Sequence, residues 1–177
     1  MDYSKYLVLY SGGADSTHFV ESESSAKYLL HYSGLNDAQT RIAAVNAQLL
    51  GRYITIVQRP LGTSPVRDGE SNEIHALYDT EMALDASLRA IHHGMAGIVL
   101  CFNADDIGID ADSLQTIIRR AEPAFEILQP LRNLNDSQIK AARVASQLKT
   151  VSCMFSDNCG HCPKCLRRGI KWVPTNP

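Results

Sequence analysis

Short apolar runs alternate with amphipathic segments along this chain. That alternation predicts βαβ units and a parallel sheet. The first run, about Lys5 to Tyr10, reads as strand one, and a segment of roughly two turns from Thr17 to Glu21 follows it. Tyr28 to Tyr32 reads as strand two. Asn36 and Asp37 then cap a helix in which Ile42, Val45 and Leu49 share one face, with Gly51 placed to end it. The β-branched and aromatic run Tyr53 to Val57 is strand three. Ile74, Leu77, Leu84, Leu88 and Ile91 recur at helical spacing between a cap at Ser71 or Asn72 and a stop at Gly94. Gly97 to Phe102 is continuously apolar, as a central parallel strand should be. A helix carrying Leu114, Ile117 and Ile118 precedes strand five at Phe125 to Leu128. Asn135 and Gln138 form a capping box for a last main helix, with Ile139, Ala142, Ala145 and Leu148 facing the core. The expected architecture is α/β: a five-stranded parallel sheet with helices on both faces over residues 1–150. The tail, 151–177, packs on the same domain.

Between strand one and its helix lies Ser11-Gly12-Gly13-Ala14-Asp15-Ser16. Strand, glycine turn and helix start together present backbone N–H groups to a phosphate. Ser11 and Ser16 add hydroxyls, and Asp15 adds a carboxylate for a metal or a helix cap. The plain alternative is a Gly-Gly turn between two elements. The loop is neither a Walker A motif nor G-x-G-x-x-G.

Charge and size narrow the field. At 177 residues the chain suits one domain with a sizeable core. The formal net charge of −2 provides no global basic field, which weighs against a nucleic-acid partner and towards a small-molecule substrate. No apolar run approaches the ~20 residues of a membrane span. The protein is therefore expected to be cytoplasmic, where cysteines signal metal or chemistry before disulfides.

Cys153, Cys159, Cys162 and Cys165 crowd the tail, in two Cys-x-x-Cys turns that share Cys162. Four thiolates at this spacing suit a tetrahedral Zn²⁺ site of structural type, because four protein ligands leave no open position. A redox pair does not call for four cysteines this close, whereas an iron–sulfur cluster is allowed by ligand type. His161 could replace one cysteine as ligand. Cys101 reads as a buried core thiol. Arg167 and Arg168 follow the last cysteine, and for at least one of them a solvated surface position is the simpler reading.

The loop resembles the SGGxDS signature of the PP-loop ATP pyrophosphatases. With the tail Ser152-Cys153 … Cys159-Gly160-His161-Cys162-Pro163-Lys164-Cys165-Leu166-Arg167, the chain looks like a shortened and divergent member of the 7-cyano-7-deazaguanine synthase family. That resemblance implies an adenine nucleotide α-hydrolase-like fold and a C–N ligase. ATP and Mg²⁺ would activate the carboxylate of 7-carboxy-7-deazaguanine, and ammonia would lead on to the nitrile, a step in queuosine biosynthesis. Ser11, Gly12, Gly13, Asp15 and Ser16 would hold the phosphates and Mg²⁺, and main-chain groups near Tyr32 and Ser33 would border the adenine. The family's zinc is structural, and its members often pair as homodimers.

Two departures bear on the substrate. The family's Asp-x-Ser-Gly-Tyr-Pro-Asp-Cys-Arg motif after strand four is replaced by Asp105-Asp106-Ile107-Gly108-Ile109-Asp110, and a lysine after Pro130-Leu131 is missing, with Arg132 or Lys140 to supply its charge. Asp105 and Asp106, with Asp110, sit just past a central strand, where open α/β sheets bind ligands. Asp110 can instead cap the next helix. Arg67 is expected at the same end of the sheet. A PP-loop ligase or sulfur-transfer enzyme acting on an RNA nucleobase, and a non-catalytic nucleotide-binding module, are the rival readings.

Overall fold

A computed structural model describes residues 1–34, 36–59, 72–106, 108–153 and 158–170. Five strands form one sheet in the order β3-β2-β1-β4-β5, and every pairing is parallel. The strands are β1 (Tyr6–Leu9), β2 (Tyr28–Ser33), β3 (Tyr53–Gln58), β4 (Gly97–Val99) and β5 (Glu126–Leu128). The helices are α1 (Ala14–Ser22), α2 (Asp37–Leu49), α3 (Asn72–His92), α4 (Ala111–Ile118), α5 (Asp136–Ala142) and α6 (Pro163–Arg167). The order reverses at β1: the chain runs outward to β2 and β3, then returns to β4 on the other side. In open α/β sheets a ligand crevice forms outside the strand ends at such a point.

Alternate residues of the central strands feed two cores. Val8, Leu29 and Val99 pack with Phe19 and Val20 of α1, Ala43 and Ala47 of α2, and Ile139 of α5. Leu7, Leu30 and Ile98 pack with Ala83, Ala86 and Ala90 of α3 and Leu114 and Ile118 of α4. Helices therefore cover both faces. Among the described residues, no helix is long and apolar enough to cross a membrane.

The helices form where the spacing predicts them, but two bury the opposite stripe. On α2 the inward residues are Ala43, Asn46 and Ala47, whereas Val45 and Leu49 are 50% and 69% exposed. On α3 the buried face is Ala83, Ala86, Ser87 and Ala90, while Leu77, Leu84 and Leu88 point outward. On α2 the cause is close approach. A Cβ on Gly12 would lie 3.3 Å from the Ala43 Cβ, so the glycine loop sits directly on α2 and admits only small side chains there.

β4 stops at Val99 rather than Phe102, although the Leu100 N–H still donates to the Leu128 carbonyl at 2.9 Å. α5 carries the expected capping box at Asn135 and Gln138. It ends at Ala142, and only Ile139 among its predicted core positions is buried. Arg143 breaks the helix because its guanidinium has other partners: Glu21 at 3.0 Å and the Leu148 carbonyl at 3.0 Å. The segment after Arg143 becomes an irregular strap. Asn46 Nδ2 donates to the Lys149 carbonyl at 2.8 Å, and the Val151 N–H donates to the Gly12 carbonyl at 3.1 Å. The strap delivers the cysteine tail to the glycine loop.

Candidate functional site

The glycine loop links β1 to α1 at the reversal point. Gly12 takes φ +75°, and a Cβ there would meet the Gln39 carbonyl oxygen at 2.9 Å, so a side chain is excluded on both conformational and steric grounds. Gly13 is the N-cap of α1 and offers no side chain to it. The first amides of the helix are satisfied from elsewhere. Gly13 N–H donates to Ser11 Oγ at 3.2 Å, and Ala14 N–H donates to Ser152 Oγ at 3.1 Å. Ser11 Oγ and Ser16 Oγ lie 3.0 Å apart. An anion could use the same amides and hydroxyls.

Beside the loop a polar network joins residues from four parts of the chain. Asn103, fully buried just past β4, is its hub. Its Nδ2 donates to Asp15 Oδ1 at 3.0 Å and to Asp136 Oδ1 at 2.7 Å, while its Oδ1 accepts the Asp105 and Asp106 amides. Arg168 Nη2 donates to Asp15 Oδ2 at 2.5 Å and to Asp136 Oδ1 at 3.1 Å. Arg167 pairs with Asp106 Oδ1 at 2.7 Å and Asp136 Oδ2 at 2.6 Å. Burial pushes the Asp15 carboxyl above its ordinary range, and Arg168 only partly offsets it. At Asp106 burial also pushes upward, but Lys164 and Arg167 outweigh it and hold the group low.

A cleft opens next to this network. Its inner wall is apolar, with Leu9, Leu30, Met82, Leu100 and Phe102 among its residues, and its rim carries Ser11, Asp15, Ser16, Asp79, Asp106 and Lys164. Burial pushes the Asp79 carboxyl upward, opposed chiefly by Lys164. His31 sits at the back with Nδ1 2.9 Å from the Tyr10 carbonyl and Nε2 2.9 Å from Thr40 Oγ1. Burial lowers its pKa, so the ring is neutral. Cys101 is half-buried and lines the cleft rather than lying wholly in the core, and burial pushes its thiol upward.

The predicted site residues separate into groups. Ser11, Asp15, Ser16, Tyr32 and Asp106 line the cleft, and Gly12 and Gly13 shape the loop. Ser33 does not line it; its Oγ donates to the Val57 carbonyl. Asp105 turns away, and its Oδ2 accepts the Asp136 N–H at 2.8 Å. Asp110 caps α4 through the Ser113 N–H. Arg132 Nη1 donates to the Asn103 and Asp106 carbonyls, and Lys140 is exposed on α5. Arg67 lies outside the described residues. Asn103, Asp136 and Asp79 carried no local motif, and Ser152 and Lys164 were seen only as parts of the cysteine tail. Only their convergence from separate elements marks them.

The four tail cysteines meet with all their Sγ atoms within 4.8 Å of one another. Cys159 and Cys165 sulfurs lie 4.0 Å apart, as do those of Cys162 and Cys153. A tetrahedral ion with Zn–S bonds near 2.3 Å needs sulfurs about 3.8 Å apart. The cage is therefore sized for one ion, and a four-iron cluster would need its thiolates spread further. The amides of Cys159, Cys162 and Cys165 point at the sulfurs of Cys153, Cys159 and Cys162, which suits thiolate acceptors. His161 faces the Cys159 carbonyl and stays exposed, apart from the cage.

The cage is tied to the glycine loop. Asn36 Nδ2 and Gln39 Nε2, at the start of α2, donate to the Cys153 carbonyl at 2.9 and 3.0 Å. Ser152, next to Cys153, holds the Ala14 amide.

No family model matches the chain, and no curated protein matches it in sequence. Solved structures do. The U34-tRNA thiolase NcsA from Methanococcus maripaludis, determined with its 4Fe–4S cluster, superposes with a TM-score of 0.59 at 14% identity. The match covers 93% of this chain and 63% of the thiolase, so the chain spans less than two thirds of that protein. A predicted subunit of a tRNA methyltransferase from Methanocaldococcus jannaschii aligns over 96% of this chain and 91% of its own, at 15% identity and a TM-score of 0.49. The likeness to the thiolase, at this identity, is a likeness of fold alone, a parallel α/β sheet flanked by helices.

Proposed function

We propose that this protein is a Mg²⁺-dependent ATP pyrophosphatase-type enzyme that adenylates an acceptor oxygen. One observation carries the reading: a Ser-Gly-Gly-Ala-Asp-Ser loop, packed too closely for a side chain at Gly12, opens a helix at the sheet's reversal point, beside an apolar slot. The slot between the ends of β1, β2 and β4 takes the adenine. The loop amides and the Ser11 and Ser16 hydroxyls hold the β- and γ-phosphates. They stabilise the charge that builds on pyrophosphate as the acceptor oxygen attacks the α-phosphorus. Asp15 and Asp106, which both line the cleft, would hold Mg²⁺, which would neutralise phosphate charge. The four cysteines fit a structural Zn²⁺.

The acceptor best matched to the loop and cysteine tail together is a small heterocyclic carboxylate, 7-carboxy-7-deazaguanine, with ammonia as the second substrate. Adenylation turns a poor leaving oxygen into a good one. Purified protein supplied with ATP, Mg²⁺, ammonia and the carboxylate should release pyrophosphate and form the amide or nitrile, read by mass spectrometry. Pyrophosphate release that is blind to the carboxylate would remove that substrate.

The likeness to NcsA favours a second reading, in which the acceptor is a nucleobase oxygen in tRNA and a sulfur donor follows. Four of the cysteines lie in the cage, and Cys101, whose thiol burial pushes upward, lines the cleft. In this reading the sulfur is drawn from a donor outside the polypeptide. Substituting unmodified tRNA for the carboxylate in the same assay separates the two.

A further inference from the structure

We propose that the cysteine knuckle supplies the phosphate-side cations of the nucleotide site, Lys164 and Arg168, and that Arg168 guards Asp15 until a nucleotide draws it away. This rests on the ATP reading above and adds a role for residues beyond the glycine loop.

Three observations converge. First, both oxygens of Asp15 are taken by protein donors, Oδ1 by Asn103 and Oδ2 by Arg168. A divalent cation approaching Asp15 must first displace the guanidinium. Second, Arg168 is incompletely satisfied: its Nε is buried without a hydrogen-bond partner. A phosphate could use that donor together with Nη2 in the two-point manner that suits a guanidinium. Third, Lys164 lines the cleft with Ser11, Asp15 and Ser16. Among the described residues it forms no ion pair, although its charge bears on Asp15, Asp79 and Asp106.

The knuckle fixes both cations. Lys164 lies between Cys162 and Cys165, and Arg168 is the C-cap of the same short helix. Wrapping the cysteines round one ion therefore sets two positive charges against the loop. As phosphate arrives, Arg168 exchanges a carboxylate for a phosphate, and the freed Asp15 oxygen turns to the divalent cation. Asp136 keeps its bond from Asn103 and its pair with Arg167 throughout.

The test is calorimetry on the metal-loaded protein and its Arg168→Ala, Arg168→Lys and Lys164→Ala variants, titrated with Mg-ATP, pyrophosphate and AMP. Mn²⁺ binding without nucleotide is followed in parallel by electron paramagnetic resonance. Lys164→Ala and Arg168→Ala should each weaken Mg-ATP and pyrophosphate tenfold or more and leave AMP within about twofold. Arg168→Lys should recover part of the loss. Arg168→Ala should also bind nucleotide-free Mn²⁺ several-fold more tightly than the unchanged protein. A merely structural arginine would weaken both ligands together. Equal losses for AMP and pyrophosphate, or Mn²⁺ affinity that falls with ATP affinity, overturn the proposal. If Arg168→Ala loses the bound metal, Lys164→Ala decides, because that side chain is exposed and forms no ion pair among the described residues. Failure of the unchanged protein to bind Mg-ATP overturns the ATP reading itself, and this proposal with it.

Discussion

The Ser152 hydroxyl oxygen accepts the Ala14 amide at 3.1 Å across 138 residues of sequence. The same amide is among those an anion would seek at the start of α1. Ser152 therefore occupies the position of a helix cap that Gly13 cannot fill. Ser152→Ala should cost about 0.5–1.5 kcal/mol in the absence of ligand. It should cost less with saturating Mg-ATP, since phosphate then satisfies the amide. Thermal melts with and without Mg-ATP read this as a larger ligand-induced rise in Tm for the variant. Equal falls in both melts would sink it.

Asn103 joins two carboxylates and two backbone amides in one buried side chain. Asn103→Leu keeps the volume and removes every one of those bonds. The expected loss is about 2–4 kcal/mol in urea unfolding, because buried polar groups are left without partners. A loss under about 1 kcal/mol would mean that water or rearranged neighbours replace the amide.

Gly12 and Gly51 both take positive φ, +75° and +63°, but only Gly12 is crowded. Gly51→Ala should cost about 1–2 kcal/mol for the left-handed backbone alone. Gly12→Ala meets the Gln39 carbonyl as well, so it should cost at least about 1 kcal/mol more and weaken pyrophosphate binding. Similar losses at the two sites would show that the loop yields without strain.

The cysteine cage predicts one Zn²⁺ per chain by elemental analysis and no labile sulfide. Cys165→Ser, or prolonged chelation, should lower Tm by several degrees. It should also abolish pyrophosphate binding, because the cage holds Ser152, Lys164 and Arg168 in place. Iron and sulfide in stoichiometric amounts would overturn the single-ion cage.

Stability should pass through a maximum on the acid side of neutrality. The raised pKa values of Asp15 and Asp79 mean their ionised forms are disfavoured in the fold. That cost is present above their folded values and relieved as pH falls through them towards ~4, the ordinary carboxylate value. The lowered Asp106 works the other way: its contribution is present above the ordinary value and is lost as pH falls through its own depressed one. Urea midpoints should therefore rise as pH falls from neutrality towards the ordinary carboxylate value of ~4 and fall again below it. Asp79→Asn should flatten the first limb. A wild-type midpoint that only falls on acidification would contradict the assignment.

The glycine loop, the cysteine cage and the five strands were legible because each is written in a few adjacent residues. Strand runs, paired glycines and Cys-x-x-Cys turns need no partner to be recognised. The faces of α2 and α3 were not. Helical period sets which residues share a side, but Ala43 faces inward where the glycine loop lies too close for a larger side chain, while Val45 and Leu84 stay exposed. The polar network was illegible for a related reason. Asn103, Asp136 and Arg168 stand at the ends of three unconnected elements, and an arginine after a cysteine turn looks solvated until Asp15 is beside it.

The pairing of Asp15 with Arg168 spans 153 residues. At a synthesis rate of about 5–20 residues per second, the ribosome makes the second partner roughly 8–30 s after the first. The glycine loop is thus among the first parts of this chain to be made and among the last to be assembled. Until the cysteines emerge, the nascent sheet carries that loop without the Ser152 and Arg168 contacts that the tail brings to it. A nascent chain halted before Cys165 should leave that loop open to proteases, and one that has cleared the ribosome in the presence of zinc should not.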